Sequence, residues 1–137
     1  MRRSQYGKCH DLAEYMEDLQ EEYFDHKDLG LTVSWGRWPR AGSSNIRMGA
    51  YYSGPNLIVI SPVLDCKTVP RYFVKYILFH EMLHSVVPWE HPVGEPHKVI
   101  LHTETFKQEE AKYKYFTKSL RWEEDNVDKL FRKKPSK

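Results

Sequence analysis

Pro70-Arg71-Tyr72-Phe73-Val74-Lys75-Tyr76-Ile77-Leu78-Phe79-His80-Glu81-Met82-Leu83-His84-Ser85-Val86-Val87-Pro88 is the stretch on which the reading of this chain turns. Pro70 suits the first turn of a helix, where its missing N–H has no intrahelical partner to lose. Pro88 supplies the stop, so a helix is expected from about Val69 to Val87. Phe73, Ile77, Leu83 and Val87, with Leu78 and Met82 beside them, cover more than half of its circumference. Such a helix is buried, and any polar residue on it needs a partner. His80 and His84, at i and i+4, stand one above the other on one face. From there both imidazoles reach a single Zn²⁺ at about 2.0–2.1 Å. Glu81 is rotated one position from the pair, close enough to a metal-bound water to act on it without ligating the metal. Zinc lowers the pKa of such a water towards about 7, and Glu81 takes its proton and passes it to a leaving amine. Two histidines and a glutamate are costly to bury here without a metal or hydrogen bonds, which favours a metal over satisfied core histidines.

A catalytic site needs a third ligand and an open position for water. The downstream candidates are His91, His97, His102, Glu104, Glu109 and Glu110. His91 and His97 fall in a stretch, 88–101, that holds three of the chain's 8 prolines and reads as a loop. Nothing in the pattern gives them a direction, and they read as exposed loop histidines. Glu109 and Glu110, within Lys-Gln-Glu-Glu-Ala-Lys, read as a solvated helix face, although either one would complete a His₂Glu set. His102 is the favoured third ligand, because it sits at the start of the next helix and is held by the element behind it.

Working outward, residues 4–25 read as an amphipathic helix with Cys9, Leu12, Ala13, Met16, Leu19 and Tyr23 on one face, and Gly30 ends the helical region. Leu31, Val33 and Trp35 alternate with Thr32 and Ser34 as in a strand. A polar turn follows over 39–45. Residues 46–52 and 56–61 form two more strands around Ser53-Gly54-Pro55, a hairpin connection. A further helix fits 103–120, with Phe106, Tyr113, Phe116 and Leu120 on one side. In the charged tail from Arg121, Trp122, Val127, Leu130 and Phe131 suit a short helical packing element. The expected fold is α+β: an N-terminal helix, a three-stranded antiparallel sheet, the helix carrying the histidines, and further C-terminal helices.

At 137 residues the chain has room for one domain, 1–137, with a core of its own. A hydrophobic fraction of 40% and an aromatic fraction of 14% exclude a disordered chain. The apolar runs are too short to cross a membrane, and residues 1–25 are too charged for a signal peptide, so the expectation is a cytoplasmic protein. Its 2 cysteines, Cys9 and Cys66, make neither a disulfide framework nor a four-cysteine zinc ribbon. The net charge of +2 hides an asymmetry. Residues 1–68 carry eight Lys+Arg against nine Asp+Glu, whereas residues 69–137 carry thirteen against ten. The excess collects in Arg132, Lys133, Lys134 and Lys137, with Arg2 and Arg3 at the other end; such basic termini read first as solvated ends, with DNA as the alternative partner they would contact.

Several segments in order resemble the SprT-like zinc metalloproteases, the family of the bacterial SprT proteins and Spartan-type catalytic domains. Trp35-Gly36-Arg37 and Arg47-Met48-Gly49-Ala50-Tyr51 resemble the strands before that family's catalytic helix. Asn56-Leu57-Ile58-Val59-Ile60-Ser61-Pro62-Val63-Leu64-Asp65 resembles its "I-x-I-S-P-x-L" strand. Tyr76 to His84 resembles the active-site helix, and His102-Thr103-Glu104-Thr105-Phe106 the third-ligand segment. The resemblance spans residues 31 to about 122. It implies a zincin-like fold, Zn²⁺ on His80, His84 and His102, Glu81 as general base, and hydrolysis of peptide bonds in proteins associated with DNA.

The expected substrate is a protein or peptide that pairs in extended form with the 46–61 hairpin, with Tyr113 or Tyr115 as candidates to stabilise the oxyanion. The alternatives are a zinc-stabilised protein- or DNA-binding module without proteolytic activity and a zinc hydrolase acting on another bond. An intact Glu81 favours catalysis, since a purely structural metal site has no use for a base.

Overall fold

The computed structural model describes residues 7–39, 47–95 and 97–132, with side chains up to residue 128. The chain order is α1 (Leu12–Tyr23), β1 (Thr32–Trp35), β2 (Gly49–Tyr52), β3 (Leu57–Ile60), α2 (Arg71–Val86), α3 (Glu104–Glu110) and α4 (Phe116–Arg132), with one 3₁₀ turn at Pro62–Leu64. It is an α+β arrangement. The apolar helix expected over 69–87 is α2, capped by Pro70 and followed by an extended Val87. Nine of its residues are buried, from Phe73 to Leu83, and α1, β2, β3, α3 and α4 all pack against it.

The sheet corrects the antiparallel expectation. It is mixed, in the order β1-β3-β2, with β1 parallel and β2 antiparallel to β3. Leu57-Ile58-Val59-Ile60 is apolar at every position, which suits a strand with neighbours on both edges and cover on its faces. Thr32 and Ser34 in β1, and Gly49 and Tyr52 in β2, suit edges. The hairpin expected around Ser53-Gly54-Pro55 forms, pairing Tyr52 with Leu57. Asn56, at φ 53°, closes it and donates from Nδ2 to the carbonyls of Leu29 and Gly30 at 3.2 and 2.8 Å. Asparagine is one of the few residues other than glycine that adopts this left-handed conformation readily.

Helix α1 is shorter at both ends than the pattern predicted. Asp11 caps its start, accepting from the Glu14 N–H, and the left-handed backbone of Asp25 and His26 follows its end, before Gly30 is reached. Cys9 is therefore exposed rather than part of the apolar face. The backbone N–H groups of Lys8, Cys9 and His10 instead donate to the Asp65 carboxylate at 2.6, 2.8 and 3.1 Å. His10 is buried and satisfied, with Nδ1 2.8 Å from the Tyr15 hydroxyl and Nε2 3.2 Å from the Cys66 carbonyl.

The helix expected over 103–120 is two helices, and the break has a tertiary cause. Tyr113 is buried against Phe79 with its hydroxyl donating to the Tyr72 carbonyl at 2.8 Å, and the Lys114 N–H donates to the Tyr23 hydroxyl at 2.9 Å. These contacts draw 111–115 out of helical register. The tail element is not separate: Trp122, 4.5 Å from Phe73 between ring centroids, and Val127 lie on the long α4. Residues 40–46, which hold all but the first residue of the turn expected over 39–45, the side chains of Leu130, Phe131 and Arg132, and Arg2, Arg3, Lys133, Lys134 and Lys137 lie outside the described residues. Among the described residues, no helix is long and apolar enough to cross a membrane.

Asp65 is the chief tie between the segment before α1 and the rest of the domain. Asp65→Ala leaves three N–H donors to find other partners and should lower the unfolding free energy by about 2 kcal/mol, read by urea denaturation. Asp65→Asn, which keeps a carbonyl acceptor, should lose less.

Candidate metal centre

Helices α2 and α3 meet through two matched rows of side chains. Tyr76, His80 and His84 are spaced four apart on α2. His102, Phe106 and Glu110 repeat that spacing from just before α3 to its last residue, and helical spacing of this kind puts each row on one face. The rows run in opposite directions: the Tyr76 hydroxyl reaches Glu110 at 3.3 Å, and His84 reaches His102 at the other end. Phe106, 1% exposed, lies between them with ring centroids 5.0, 4.5 and 5.1 Å from those of His80, His84 and His102. Thr103 starts α3, accepting from the Phe106 N–H at 3.1 Å, and so holds His102 at the helix entrance.

The three imidazoles converge. His102 Nε2 lies 3.2 Å from both His84 Nε2 and His80 Nε2, and the three side chains form a group able to hold a metal ion. Nitrogens bound at 2.0–2.1 Å to a tetrahedral ion stand about 3.3 Å apart, so the spacing fits the donor set. Hydrogen bonding alone fits less well. His80 Nδ1 faces the Glu110 carboxylate, which only accepts, so the neutral ring carries its proton there and presents a bare Nε2. His102 Nε2 can then offer its one proton to only one of its two neighbours, leaving the other without a donor. A shared cation satisfies all three.

Electrostatics favours the same protonation state. Burial, reinforced by His80 and His102, pushes the His84 pKa down to about 4, and burial beside His80 lowers that of His102. Both are held as the free base that a metal requires.

Glu81 is buried, and burial raises its pKa, against the opposing pull of His80 and Arg47. Its carboxylate lies against β2 at Gly49, where an added Cβ would stand 3.2 Å from Glu81 Oε2 and 3.0 Å from Ile77 Cγ2. Strand and helix approach this closely only because residue 49 has no side chain. The imidazoles and Glu81 open onto one cleft of about 880 Å³. Arg47, Gly49 and Tyr51 line it from β2 and the residues just before it, and Val86, Trp89 and Leu101 add an apolar wall.

Of the residues singled out in the sequence, His80, Glu81, His84 and His102 come together, and the others do not join them. His91 turns back on its own loop, its Nδ1 at the Lys98 carbonyl, and His97 is exposed. Glu104 is exposed, and Glu109 pairs with Lys112 at 2.7 Å. Glu110 stands behind His80 rather than among the converging nitrogens. Tyr113 is a core residue and Tyr115 packs on Tyr72, so the tyrosines bordering the cleft are Tyr51 and Tyr76. Sequence reasoning also missed Glu123, a half-buried carboxylate of α4 on the cleft wall whose pKa burial raises.

A protein stripped of metal should take up a single Zn²⁺ per chain. At free zinc 100 times its Kd, binding should add about 2.7 kcal/mol to folding stability, seen as a rise in Tm. His102→Ala should abolish that rise. The chain matches no protein-family model, no curated protein and no solved structure.

Proposed function

We propose that this protein is a zinc-dependent metallopeptidase of the SprT-like kind, with His80, His84 and His102 holding the metal and Glu81 as the general base. The observation that carries the reading is the meeting of three elements at one cleft: converging imidazoles, a buried carboxylate one residue from the first ligand, and an open strand edge. A zinc ion held by His80, His84 and His102 would supply Lewis acidity towards a water and towards the scissile carbonyl.

The chain's own residues supply the rest. Glu81 accepts the proton of the attacking water on its carboxylate and returns it to the departing amine. Its wall of Gly49 and Ile77 keeps bulk water from that side. Among the described residues β2 is an edge strand, paired on one side with β3. An extended peptide laid along its free edge gains main-chain hydrogen bonds and runs past the imidazoles. The apolar wall of Val86, Trp89 and Leu101 suits a substrate with a large apolar side chain beside the scissile bond.

Glu81→Gln removes the base and keeps the shape. It should bind zinc as the wild type does, while casein cleavage falls by about a hundredfold to ten-thousandfold. Cleavage by the variant at the wild-type rate would reject the mechanism. Zinc binding by a wild type that cleaves nothing would point to a binding module.

A further inference from the structure

We propose that Glu110 is a positioning residue for the metal site, holding His80 in the single tautomer and ring orientation that present Nε2 to the ion. The inference rests on the metal reading of the three histidines and adds to it a role for a residue outside the ligand set.

Glu110 ends α3, where its neighbour Glu109 behaves as an ordinary surface residue: Glu109 pairs with Lys112, and the two side chains are 39% and 66% exposed. Glu110 differs in burial and in partners. Its side chain is 13% exposed, and one oxygen, Oε2, takes both His80 Nδ1 and the Tyr76 hydroxyl, two donors one turn apart on α2. An oxygen that accepts from the Tyr76 hydroxyl accepts from Nδ1 as well, so this hydrogen bond places the imidazole proton on Nδ1 and leaves the Nε2 lone pair for the ion. Tyr76 holds the carboxylate in turn. Ligand histidines bonded in this way through their second nitrogen are more basic and better oriented, and loss of the partner typically weakens metal binding about tenfold to a hundredfold. The same short helix thus brings in His102 at its entrance and aligns His80 from its last residue.

Glu123 provides the control for charge. It borders the same cleft and acts electrostatically on Tyr76, but among the described residues it makes no hydrogen bond to His80. Glu123→Gln therefore removes a carboxylate from the cleft without removing a hydrogen bond to His80.

The test measures zinc affinity by competition with a chromophoric chelator, together with the visible absorption of the Co²⁺-loaded protein. Four proteins are compared: wild type, Glu110→Ala, Glu110→Gln and Glu123→Gln. Glu110→Ala should weaken zinc binding about tenfold to a hundredfold and shift the cobalt bands. Glu110→Gln, whose amide oxygen still accepts from Nδ1–H, should recover part of the loss and covers the case in which the alanine variant does not fold. Glu123→Gln should stay close to wild type. Wild-type affinity and an unshifted cobalt spectrum in both Glu110 variants would overturn the inference while leaving the metal site intact. An equal loss in Glu123→Gln would overturn it in favour of bulk charge. A wild type that binds neither ion would overturn the metal reading itself, and this inference with it.

Discussion

Helix α2 is buried around most of its circumference, and the rest of the fold follows from how that surface is covered. Apolar area of this extent is stable only when withdrawn from water. α1, the sheet, α3 and α4 each cover part of it. The strip left over is the face of Tyr76, His80 and His84, which aliphatic packing alone would cover at the expense of unsatisfied ring nitrogens. α3 covers it with a matching row: a carboxylate opposite the tyrosine and first histidine, a phenyl ring between, and an imidazole opposite the last histidine. The geometry that lets α3 seal the core is therefore the geometry that gathers three nitrogens at one point.

Much of this was legible in the sequence because it depends on spacing within single elements. The interval of four between His80 and His84 and the apolar bulk around them are local facts. So is the step from His102 to Phe106 to Glu110, whose common face was there to be read although Glu110 looked like a solvated residue. The pairing of strands was not legible in the same way. Alternation at Leu31, Val33 and Trp35 shows that a strand exists, but nothing in that segment says which neighbour it takes. The run Leu57 to Ile60 carried the better signal, since a strand with no polar position suits the centre of a sheet. The break between α3 and α4 left no local trace, because helical periodicity continues from Phe106 through Tyr113 to Phe116. It arises from contacts of Tyr113 and Lys114 with Tyr72, Phe79 and Tyr23, residues from the other end of the chain and from α2. Asp65 was silent for the same reason, its three donors lying more than fifty positions away.

The site itself works against stability, and the compensations can be named. Burying the Glu81 carboxylate raises the free energy of the metal-free fold at neutral pH, as its raised pKa registers, and the lowered pKa values of His84 and His102 add a cost as the pH falls below the ordinary histidine range. Phe106 offsets part of this, since a fully buried phenyl ring contributes on the order of 2–3 kcal/mol and here touches each imidazole as well. A bound cation offsets more by replacing lone-pair contacts with ligation. Folding and metal binding should accordingly be coupled.

Gly49 shows how narrow the tolerance is on the other wall. A substrate aligned on β2 and a proton acceptor on α2 act together only if strand and helix lie close, and any side chain at residue 49 would intrude on both Ile77 and Glu81. Ile77 is fixed in the core and cannot retreat without opening a void. The carboxylate of Glu81 would have to move instead, away from the position its neighbours and burial define. The absence of one methyl group on an edge strand thus sets the distance between the surface on which a peptide would lie and the carboxylate that would take the proton of the attacking water. On this reading substrate alignment and acid–base chemistry are one structural property of the β2–α2 contact, and a change that loosens one disturbs the other.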